Sequence, residues 1–378
     1  MRVVVAMSGG VDSSVAAGLM VEQGHEVVGL TMKLRDTTAE ERAGRSASCC
    51  SPDDVMDARG VCDLMGIPHY TADYRDAFRR AVMEPFARAY LQGRTPNPCV
   101  LCNDHLKFAA LLTRARALGA DLLVTGHYAR TWTDADGRVH LGVAADARKD
   151  QSYFLFGIAP EALARIRFPL GDMDKPAVRG HAKRLGLPIW DKPDSEDICF
   201  VPGGDYARVV EEILAESGAP PPPAGRIVDE AGRELGRHEG IHRFTVGQRK
   251  GLGVSRGEPL YVLGVDAASG DVRVGDADGL GASGLVARDC NWLVDPPSAE
   301  GRAVTARIRY RHAGVPARVH ADGGGGARVE FETAVRAVSP GQAVVFYDGD
   351  EVLGGGWIER PIPWQGRPAA GETHVRST

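Results

Sequence analysis

Residues 1–205 alternate between short apolar runs and helical patterns, and this alternation limits the possible folds more than any other feature. The run "RVVVAM" predicts a strand, "DSSVAAGLMVEQG" predicts a helix that ends at Gly24, and "HEVVGLTMKL" predicts a second buried strand. Strands that alternate with helices are typical of βαβ units. We therefore predict an N-terminal α/β domain with a parallel sheet.

The same alternation continues along this segment. A helix over "SPDDVMDARGVCDLMG" is predicted by Ser51 as N-cap, Pro52 at the first helical position and Gly66 as a stop signal. Strands are predicted over "IPHYTADY" and "DLLVTGHYA", and helices over "DAFRRAVMEPFARAYLQG" and "HLKFAALLTRARALG".

The remainder of the chain has a different pattern. A proline-rich break lies near residues 217–229, and short β-like runs separated by glycine follow it. Such runs indicate small all-β units, the last of them a barrel, with "ADGGGG" at 321–326 as a hairpin tip. We therefore expect an α/β domain, a small central linking domain, a β-barrel and a disordered tail, over residues 1–205, 206–280, 281–362 and 363–378.

The composition, 43% hydrophobic and 25% charged, is that of an ordinary soluble globular protein. No apolar run reaches the ~18 residues of a membrane span, and the N-terminus lacks a signal-peptide pattern. The seven cysteines are odd in number and clustered, which favours reduced thiols in the cytoplasm. A formal net charge of −5 argues weakly against a nucleic-acid partner, although local charge can override it.

The segment "AMSGGVDSSV" follows the first strand and opens the first helix. Gly9 and Gly10 allow a tight turn that brings N–H groups close to an anion, and the helix beginning near Val11 adds its positive end. Asp12 can hold Mg²⁺ against phosphates, and hydroxyl donors come from Ser8, Ser13 and Ser14. A plain serine-capped turn can also begin S-G-G, but the full S-G-G-x-D-S-S favours a phosphate loop, and no Walker sequence is present.

A second motif is "RTPNPCVLCNDHLKF" at residues 94–108, which we expect to place Cys99 and Cys102 in a loop before a helix. A C-x-x-C pair can be a thiol–disulfide switch, half of a zinc site or part of an iron–sulfur site. The residues alone leave these alternatives open.

The S-G-G-x-D-S loop resembles the pyrophosphate loop of the N-type ATP pyrophosphatases. This resemblance implies ATP as a cofactor, cleaved between its α and β phosphates, and adenylation of an oxygen on the substrate. Adenylation makes that oxygen a good leaving group for a nitrogen or sulfur nucleophile.

Seven further strings, in matching order from the N-terminus to about residue 360, resemble the tRNA-specific 2-thiouridylase family. They are "GHYAR", "KDQSYFLF", "KPDSEDICFV", "HRFTVGQRKGLGV", "GEPLYV", "RIRYRH" and "SPGQAVVFYDGDEVLGGGWIE". The resemblance implies an enzyme that replaces the C2 oxygen of the wobble uridine of tRNA by sulfur and releases AMP and pyrophosphate. It also implies tRNA and a cysteine desulfurase or sulfur-relay protein as partners.

The resemblance implies a role for each matching residue. The ATP phosphates would be held by Ala6, Met7, Ser8, Gly9, Gly10, Val11, Asp12 and Ser13, with Met32 and Gly126 near the adenosine. Cys102 would be the nucleophile and Cys199 the persulfide carrier. The target base would be bordered by Asn97, Pro98 and Cys99, and tRNA would be contacted by His127, Lys149, Asp150, Gln151, Arg309, Tyr310 and Gln342.

Elementary chemistry agrees with these roles. An adenylated C2 needs a good sulfur nucleophile, and a thiolate or persulfide is the available one. Residues 301–318 carry five arginines and no acid, so phosphate contacts are available on a net-negative protein. Tyr310 lies between arginines and is suited to stacking on an unstacked base.

Cys99 departs from the family pattern, in which many members carry Asp at this position. In one interpretation Cys99 is a bystander, and Cys102 attacks a persulfide on Cys199. In a second, Cys99, Cys102 and Cys199 ligate a [4Fe–4S] cluster whose open iron carries sulfide. In a third, the three cysteines and a histidine such as His105 bind structural zinc.

Two other functions remain open from the sequence. One is another ATP pyrophosphatase of the amidotransferase or ligase type acting on a small molecule, which would explain neither the arginine–tyrosine string nor a C-terminal barrel. The other is a non-catalytic tRNA-binding sulfur carrier, which would need no ATP loop.

Overall fold

The computed structural model describes residues 1–36, 52–194, 198–254 and 257–364. In these residues the N-terminal domain has a parallel sheet of five strands, as the alternating sequence predicts. The strands are β1 (Arg2–Ala6), β2 (Glu26–Lys33), β3 (His69–Asp73), β4 (Leu122–Thr125) and β7 (Ile166–Arg167). They lie side by side in the order β3-β2-β1-β4-β7.

The helices of this domain include two that change from α- to π-helical geometry and back. The helices of the domain are α1 (Val11–Glu22), α2 (Pro52–Met65), α3 (Arg75–Phe78, the π-helical Arg79–Met83 and Glu84–Leu91), α4 (Pro98–Leu101, the π-helical Cys102–Ala110 and Leu111–Ala117), α5 (Pro160–Leu163), α6 (Lys175–Arg184) and α7 (Tyr206–Glu216). Ser51, the predicted cap of α2, lies outside the described residues, as do Cys49 and Cys50.

Helices cover both faces of the sheet. Alternate residues of β1 belong to two different hydrophobic clusters: Val4 joins one, and Val3 and Val5 join the other. The first cluster also contains buried side chains of α3 and α4, and the second contains those of α1, α2 and α6. The three central residues of β1, Val3, Val4 and Val5, are therefore all apolar because both faces of the strand are buried there.

The expected central domain is a small mixed sheet with its own core. Its strands, in the order β10-β11-β8-β9, are β8 (Gly225–Val228), β9 (Glu234–His238), β10 (Tyr261–Asp266) and β11 (Asp271–Gly275). Ile227, Val262 and Val272 are fully buried in that core.

The expected C-terminal barrel is also present. It consists of β12 (Gly281–Trp292), β13 (Arg302–Arg307), β14 (Val315–Ala321), β15 (Ala327–Arg336), β16 (Ala343–Asp348) and β17 (Glu351–Pro363). β12 pairs with both β15 and β17, which closes the sheet, and the predicted hairpin tip joins β14 to β15. Of the predicted disordered tail, residues 363–378, Pro363 is instead the last residue of β17, and residues 365–378 lie outside the described residues.

A hairpin from the α/β domain extends the barrel sheet, which the sequence did not lead us to expect. Its strands are β5 (Arg130–Thr133) and β6 (Val139–Gly142), and Gly142 pairs with Glu351 of β17. His140 adds contacts of 2.6 Å from Nδ1 to Glu351 and 2.9 Å from Nε2 to Asp134. The α/β domain and the barrel are thus joined by a shared sheet.

In the part of the chain that the structure describes, no helix has the length and apolar composition needed to span a bilayer.

Candidate active site

The candidate site lies where the order of the parallel strands reverses. β1 pairs with β2 on one side and β4 on the other, so the loops after β1 and β4 leave the same edge of the sheet. Open α/β sheets bind ligands at this kind of edge. The loops approach closely, since a Cβ atom at Gly126 would lie 2.6 Å from the backbone nitrogen of Ser13. Position 126 therefore requires glycine unless the start of α1 moves.

The loop after β1 presents backbone N–H groups at the start of α1. Gly9 has a φ of +73°, and a Cβ atom there would lie 2.2 Å from the carbonyl oxygen of Asp54. The hydroxyl of Ser13 accepts a hydrogen bond from the Ser8 nitrogen (3.1 Å) and donates one to the Gly10 oxygen (3.2 Å). Gly10 is the N-cap of α1 and supplies no side-chain cap. The serine hydroxyls thus shape the loop, and the uncapped helix start suits an anion.

The other residues that the resemblance assigns to the nucleotide lie at the same edge. Ala6 ends β1 and pairs with Leu30, which places Met32 two residues further along β2. Met7, Val11 and Met32 are buried. The structure therefore brings the whole assigned set together, from the β1 loop, β2 and the loop after β4.

A cluster of ion pairs adjoins this loop. The ammonium of Lys175, at the start of α6, lies 2.7 Å from Asp12 Oδ1 and 2.6 Å from Asp194 Oδ1. Lys149 contacts the other oxygen of Asp194 at 2.7 Å. Burial opposes ionisation of Asp194, but hydrogen bonds from Lys149 and Lys175 lower its pKa overall. The hydroxyl of Tyr128 donates to Asp12 Oδ1 at 2.8 Å.

A third lysine fastens α2 to the phosphate-type loop. Lys192 donates to the Gly9 carbonyl oxygen at 3.1 Å, to Asp54 Oδ1 at 2.7 Å and to Asp57 Oδ2 at 2.6 Å. Sequence analysis assigned no role to Lys175, Lys192 or Asp194. The only signal was the string "KPDSEDICFV", which contains Lys192 and Asp194.

His127 follows Gly126 and lies beside this cluster. Its Nδ1 is 2.8 Å from Thr125 Oγ1, and its Nε2 is 3.5 Å from the ammonium of Lys107. Burial and then the positive charge of Lys107 lower the pKa of His127 well below its usual value. The imidazole is therefore neutral at neutral pH.

The C-x-x-C pair lies on a helix, which corrects the predicted loop. Asn97 caps the first turn of α4 through its Oδ1, which accepts from the Val100 nitrogen at 3.4 Å, and Pro98 is the first helical residue. Proline at that position and an Asn cap both favour a helix start. Cys99 is exposed and Cys102 is buried.

The distant cysteine packs against the hydrophobic cluster that contains Cys102. That cluster extends from the α/β domain into the barrel and includes Phe200 and Val201, the residues that follow Cys199. The remaining described cysteines differ from these. Burial is the main reason that the pKa values of Cys62 and Cys290 rise to about 12, so both thiols stay neutral.

The three cysteines do not form a metal site. No group of three or more His, Cys, Asp or Glu side chains is arranged to hold a metal ion within residues 1–36, 52–194, 198–254 and 257–364. A [4Fe–4S] cluster needs its thiolates to converge on one point. Among the described residues, Cys99, Cys102 and Cys199 are not grouped in this way, and His105, the histidine of the zinc alternative, is exposed.

The barrel holds the segment that leads into the cysteine helix. Gln342 donates its Nε2 to the carbonyl oxygens of Thr95 and Pro96 at 3.1 Å each, and the Thr95 nitrogen donates to Pro340 at 2.8 Å. The hydroxyl of Tyr153 donates to the Ala343 oxygen at 2.9 Å. Gln342, assigned to tRNA by the resemblance, here supports residues 95–97.

The residues that the resemblance assigns to tRNA fall into two groups. Asp150 is buried and accepts hydrogen bonds from the Ala144 nitrogen, Ser152 Oγ and Arg307 Nη1 at 3.1, 3.0 and 2.7 Å. Gln151, Lys149 and Gln342 are likewise engaged within the protein. Arg309 is exposed, and Tyr310 is half-buried with its ring 4.5 Å from that of Phe154.

One carboxyl group next to the cysteines was not singled out by the sequence. Asp104 lies in the π-helical segment of α4, and its carboxyl group presses against Gly157, where a Cβ atom would be 2.2 Å from Oδ2. Its buried Oδ1 has no hydrogen-bond partner among the described residues. Burial raises the pKa of Asp104 to about 7.

Comparison with known proteins covers nearly the whole chain. Residues 1–203 match the family described as tRNA methyl transferase HUP domain, 211–276 the tRNA methyl transferase PRC-barrel domain, and 282–358 the aminomethyltransferase beta-barrel domain. The chain is 51% identical over 363 residues to the tRNA-specific 2-thiouridylase MnmA of Geotalea uraniireducens, covering 96% of each chain. The proteins of the same name from Geobacter metallireducens and Chloroflexus aggregans are 51% and 49% identical, over 95% of this chain and 96% and 99% of theirs.

The close approach of the two loops predicts the effect of a single methyl group. Gly126→Ala places a Cβ atom 2.6 Å from the Ser13 nitrogen and should lower the free energy of unfolding by about 1–3 kcal/mol. The matched control is Gly180→Ala on α6, where a Cβ atom meets nothing within 4 Å. This substitution should raise the free energy of unfolding by about 0.5–1 kcal/mol. Urea unfolding measures both. A Gly126→Ala variant as stable as the parent would contradict the described contact.

The raised pKa of Asp104 predicts a pH dependence of stability. Its carboxyl group is protonated in the folded state up to about pH 7, while in the unfolded chain it ionises near pH ~3.9. The stability it contributes is therefore complete below the unfolded pKa and is lost as pH rises through the folded pKa.

Asp104→Asn should therefore gain stability relative to the parent between about pH 4.5 and pH 8, measured by urea unfolding at several pH values. The exposed Asp136→Asn is the control and should show no such trend. A difference between Asp104→Asn and the parent that stays constant with pH would refute the assignment.

Proposed function

The chain belongs to the tRNA-specific 2-thiouridylase family, and from this premise we propose the reaction and the residues that carry it out. The reaction is the ATP-dependent replacement of the C2 oxygen of a wobble uridine in tRNA by sulfur, with release of AMP and pyrophosphate. The observation that carries the proposal is the identity of about half the residues to 2-thiouridylases over some 95% of the chain. The geometry of the two loops and the cysteines supports it.

The first step is adenylation of the uridine oxygen. The uncapped start of α1 and the loop at Gly9 and Gly10 supply N–H donors for the ATP phosphates, and Gly126 leaves room for close approach. Magnesium usually binds through phosphate oxygens and one or two carboxylates. Asp12, in the first turn of α1, is the carboxylate that would hold it, and the ion would neutralise phosphate charge.

The second step is sulfur transfer. Cys199 carries a persulfide, which a cysteine desulfurase or a relay protein supplies. The Cys102 thiolate attacks the inner sulfur, so a Cys102–Cys199 disulfide forms and the terminal sulfur leaves as sulfide. The sulfide attacks C2 of the adenylated uridine, the oxygen leaves with AMP, and an external thiol reduces the disulfide. The placement of both cysteines at one hydrophobic cluster supports this sequence.

Cys99 occupies the position of the family's aspartate and, in this proposal, stays outside the covalent chemistry. It is exposed next to the Asn97 cap, where it would border the target base. The proposal follows the persulfide route, which is supported by the finding that Cys99, Cys102 and Cys199 are not grouped as metal ligands among the described residues.

In this proposal some residues contact tRNA directly, and others hold the contacting residues in position. Arg309 is exposed and suited to a phosphate contact, and Tyr310 lies beside it. Asp150 and Gln342 act through contacts inside the protein. Asp150 holds Arg307, and Gln342 holds the segment before the cysteines. A tRNA substrate and thiols that must be reduced support the cytoplasm as the location of the proposed reaction.

The cysteine roles predict the behaviour of single variants. Cys199→Ala should lose tRNA thiolation by at least about 100-fold while tRNA-dependent AMP release continues, because adenylation precedes sulfur transfer. Cys290→Ala, in the barrel, is the control and should thiolate normally. Mass spectrometry of digested tRNA measures thiolation, and AMP release is measured in parallel. Thiolation by Cys199→Ala would remove this residue from the mechanism.

The same assays separate the rival functions. AMP release without tRNA would indicate a small-molecule ligase, and thiolation that survives Asp12→Ala would indicate a sulfur carrier. The family description of residues 1–203 names a methyl transfer. A product nucleoside that carries an added methyl group, with its C2 oxygen retained, would favour that activity over thiolation.

A further inference from the structure

Lys175 contacts Asp12, the aspartate that follows the glycine loop after β1. Its ammonium lies between Asp12 Oδ1 and Asp194 Oδ1, at 2.7 and 2.6 Å, and its side chain is only 12% exposed. It also lies 6.0 Å from the centre of the Tyr128 ring. Residues 6–13, Met32 and Gly126 account for the expected nucleotide contacts, and Lys175 is not among them.

Among the described residues, the ion pairs of this cluster set two cations, Lys149 and Lys175, against two anions, Asp12 and Asp194. A polyphosphate arriving at the start of α1 brings several negative charges next to Asp12, and like charges repel strongly where water is partly excluded. Cations must therefore lie between the phosphates and this carboxylate. The Mg²⁺ ion that Asp12 would hold is one, and the Lys175 ammonium on Asp12 Oδ1 is positioned to be another.

The three lysines around the loop differ in what holds them. Lys192 is fixed by the Gly9 carbonyl oxygen and by two carboxylates of α2. Lys149 is held by Asp194, which lies outside the loop. Lys175 has one acceptor in the loop and one outside it, so it can keep Asp12 while it exchanges Asp194 for a phosphate oxygen.

We propose that Lys175 is a catalytic residue that binds the pyrophosphate portion of ATP, with Asp194 as its counter-ion when no nucleotide is bound. On binding, the ammonium keeps its hydrogen bond to Asp12 and exchanges Asp194 for a phosphate oxygen. It then stabilises the negative charge that develops on pyrophosphate as the bond between the α and β phosphates breaks. The inference rests on the proposed function only for the identity of ATP as the nucleotide.

The exchange predicts opposite effects for the two partners of the ion pair. Lys175→Gln should weaken the binding of inorganic pyrophosphate with Mg²⁺ by about 10- to 100-fold, the range for losing one charge-assisted hydrogen bond. Asp194→Asn removes the acceptor that competes for Lys175 and should bind pyrophosphate at least as tightly as the parent. Isothermal titration of the full chain, without tRNA, measures both.

Two further variants complete the design. Lys183→Gln lies on the same helix, over the ring of Trp190, and should bind pyrophosphate like the parent. Lys175→Arg keeps the charge and should recover part of the affinity. Melting temperatures identify any variant that fails to fold, and in that case the comparison of Asp194→Asn with the parent still tests the exchange.

Two results would overturn the proposal. Equal weakening in Lys175→Gln and Asp194→Asn would mean that the pair is only a structural clasp, and parent-like binding by Lys175→Gln would mean that Lys175 does not reach the ligand. Because the measurement omits tRNA, a chain that binds pyrophosphate through Lys175 but never thiolates tRNA would refute the proposed function and leave this inference standing.

Discussion

The reversal of strand order between β1 and β4 is the constraint on which the rest of the site depends. Because these strands are neighbours, the loop that starts α1 and the loop that carries Gly126 and His127 meet at one edge of the sheet. The contact leaves no room for a side chain at position 126. His127 follows Gly126 in one of these loops, and Lys175 contacts Asp12 at the end of the other.

The barrel is a second support for the same site. It meets the α/β domain through the β5–β6 hairpin, through Asp150 and Arg307, and through Gln342, which holds the segment before α4. Arg307 also lies over the ring of Tyr347, at 4.5 Å. These contacts therefore connect the barrel, which also carries Arg309, directly to the segment that leads to Cys102.

Local patterns in the sequence predicted the large features correctly, and tertiary contacts explain what they missed. Glycine spacing, proline placement and apolar alternation are local signals, so the α/β fold, the central domain and the barrel could be predicted. The cysteine pair was wrongly predicted to lie in a loop, although Asn97 and Pro98 carry the cap and first-turn signals of a helix. The roles of Lys175, Lys192 and Asp194 depend on contacts between distant segments, which no local pattern encodes.

The central claim is that Cys102 and Cys199 act as a pair on a base activated at the β1 loop. The most direct test is a single turnover with persulfide-loaded enzyme, ATP and tRNA in the absence of reductant, followed by peptide mapping of disulfides by mass spectrometry. The account predicts one Cys102–Cys199 disulfide for each thiolated uridine. Thiolated tRNA with both of these cysteines still reduced, or with Cys99 in the disulfide, would contradict it.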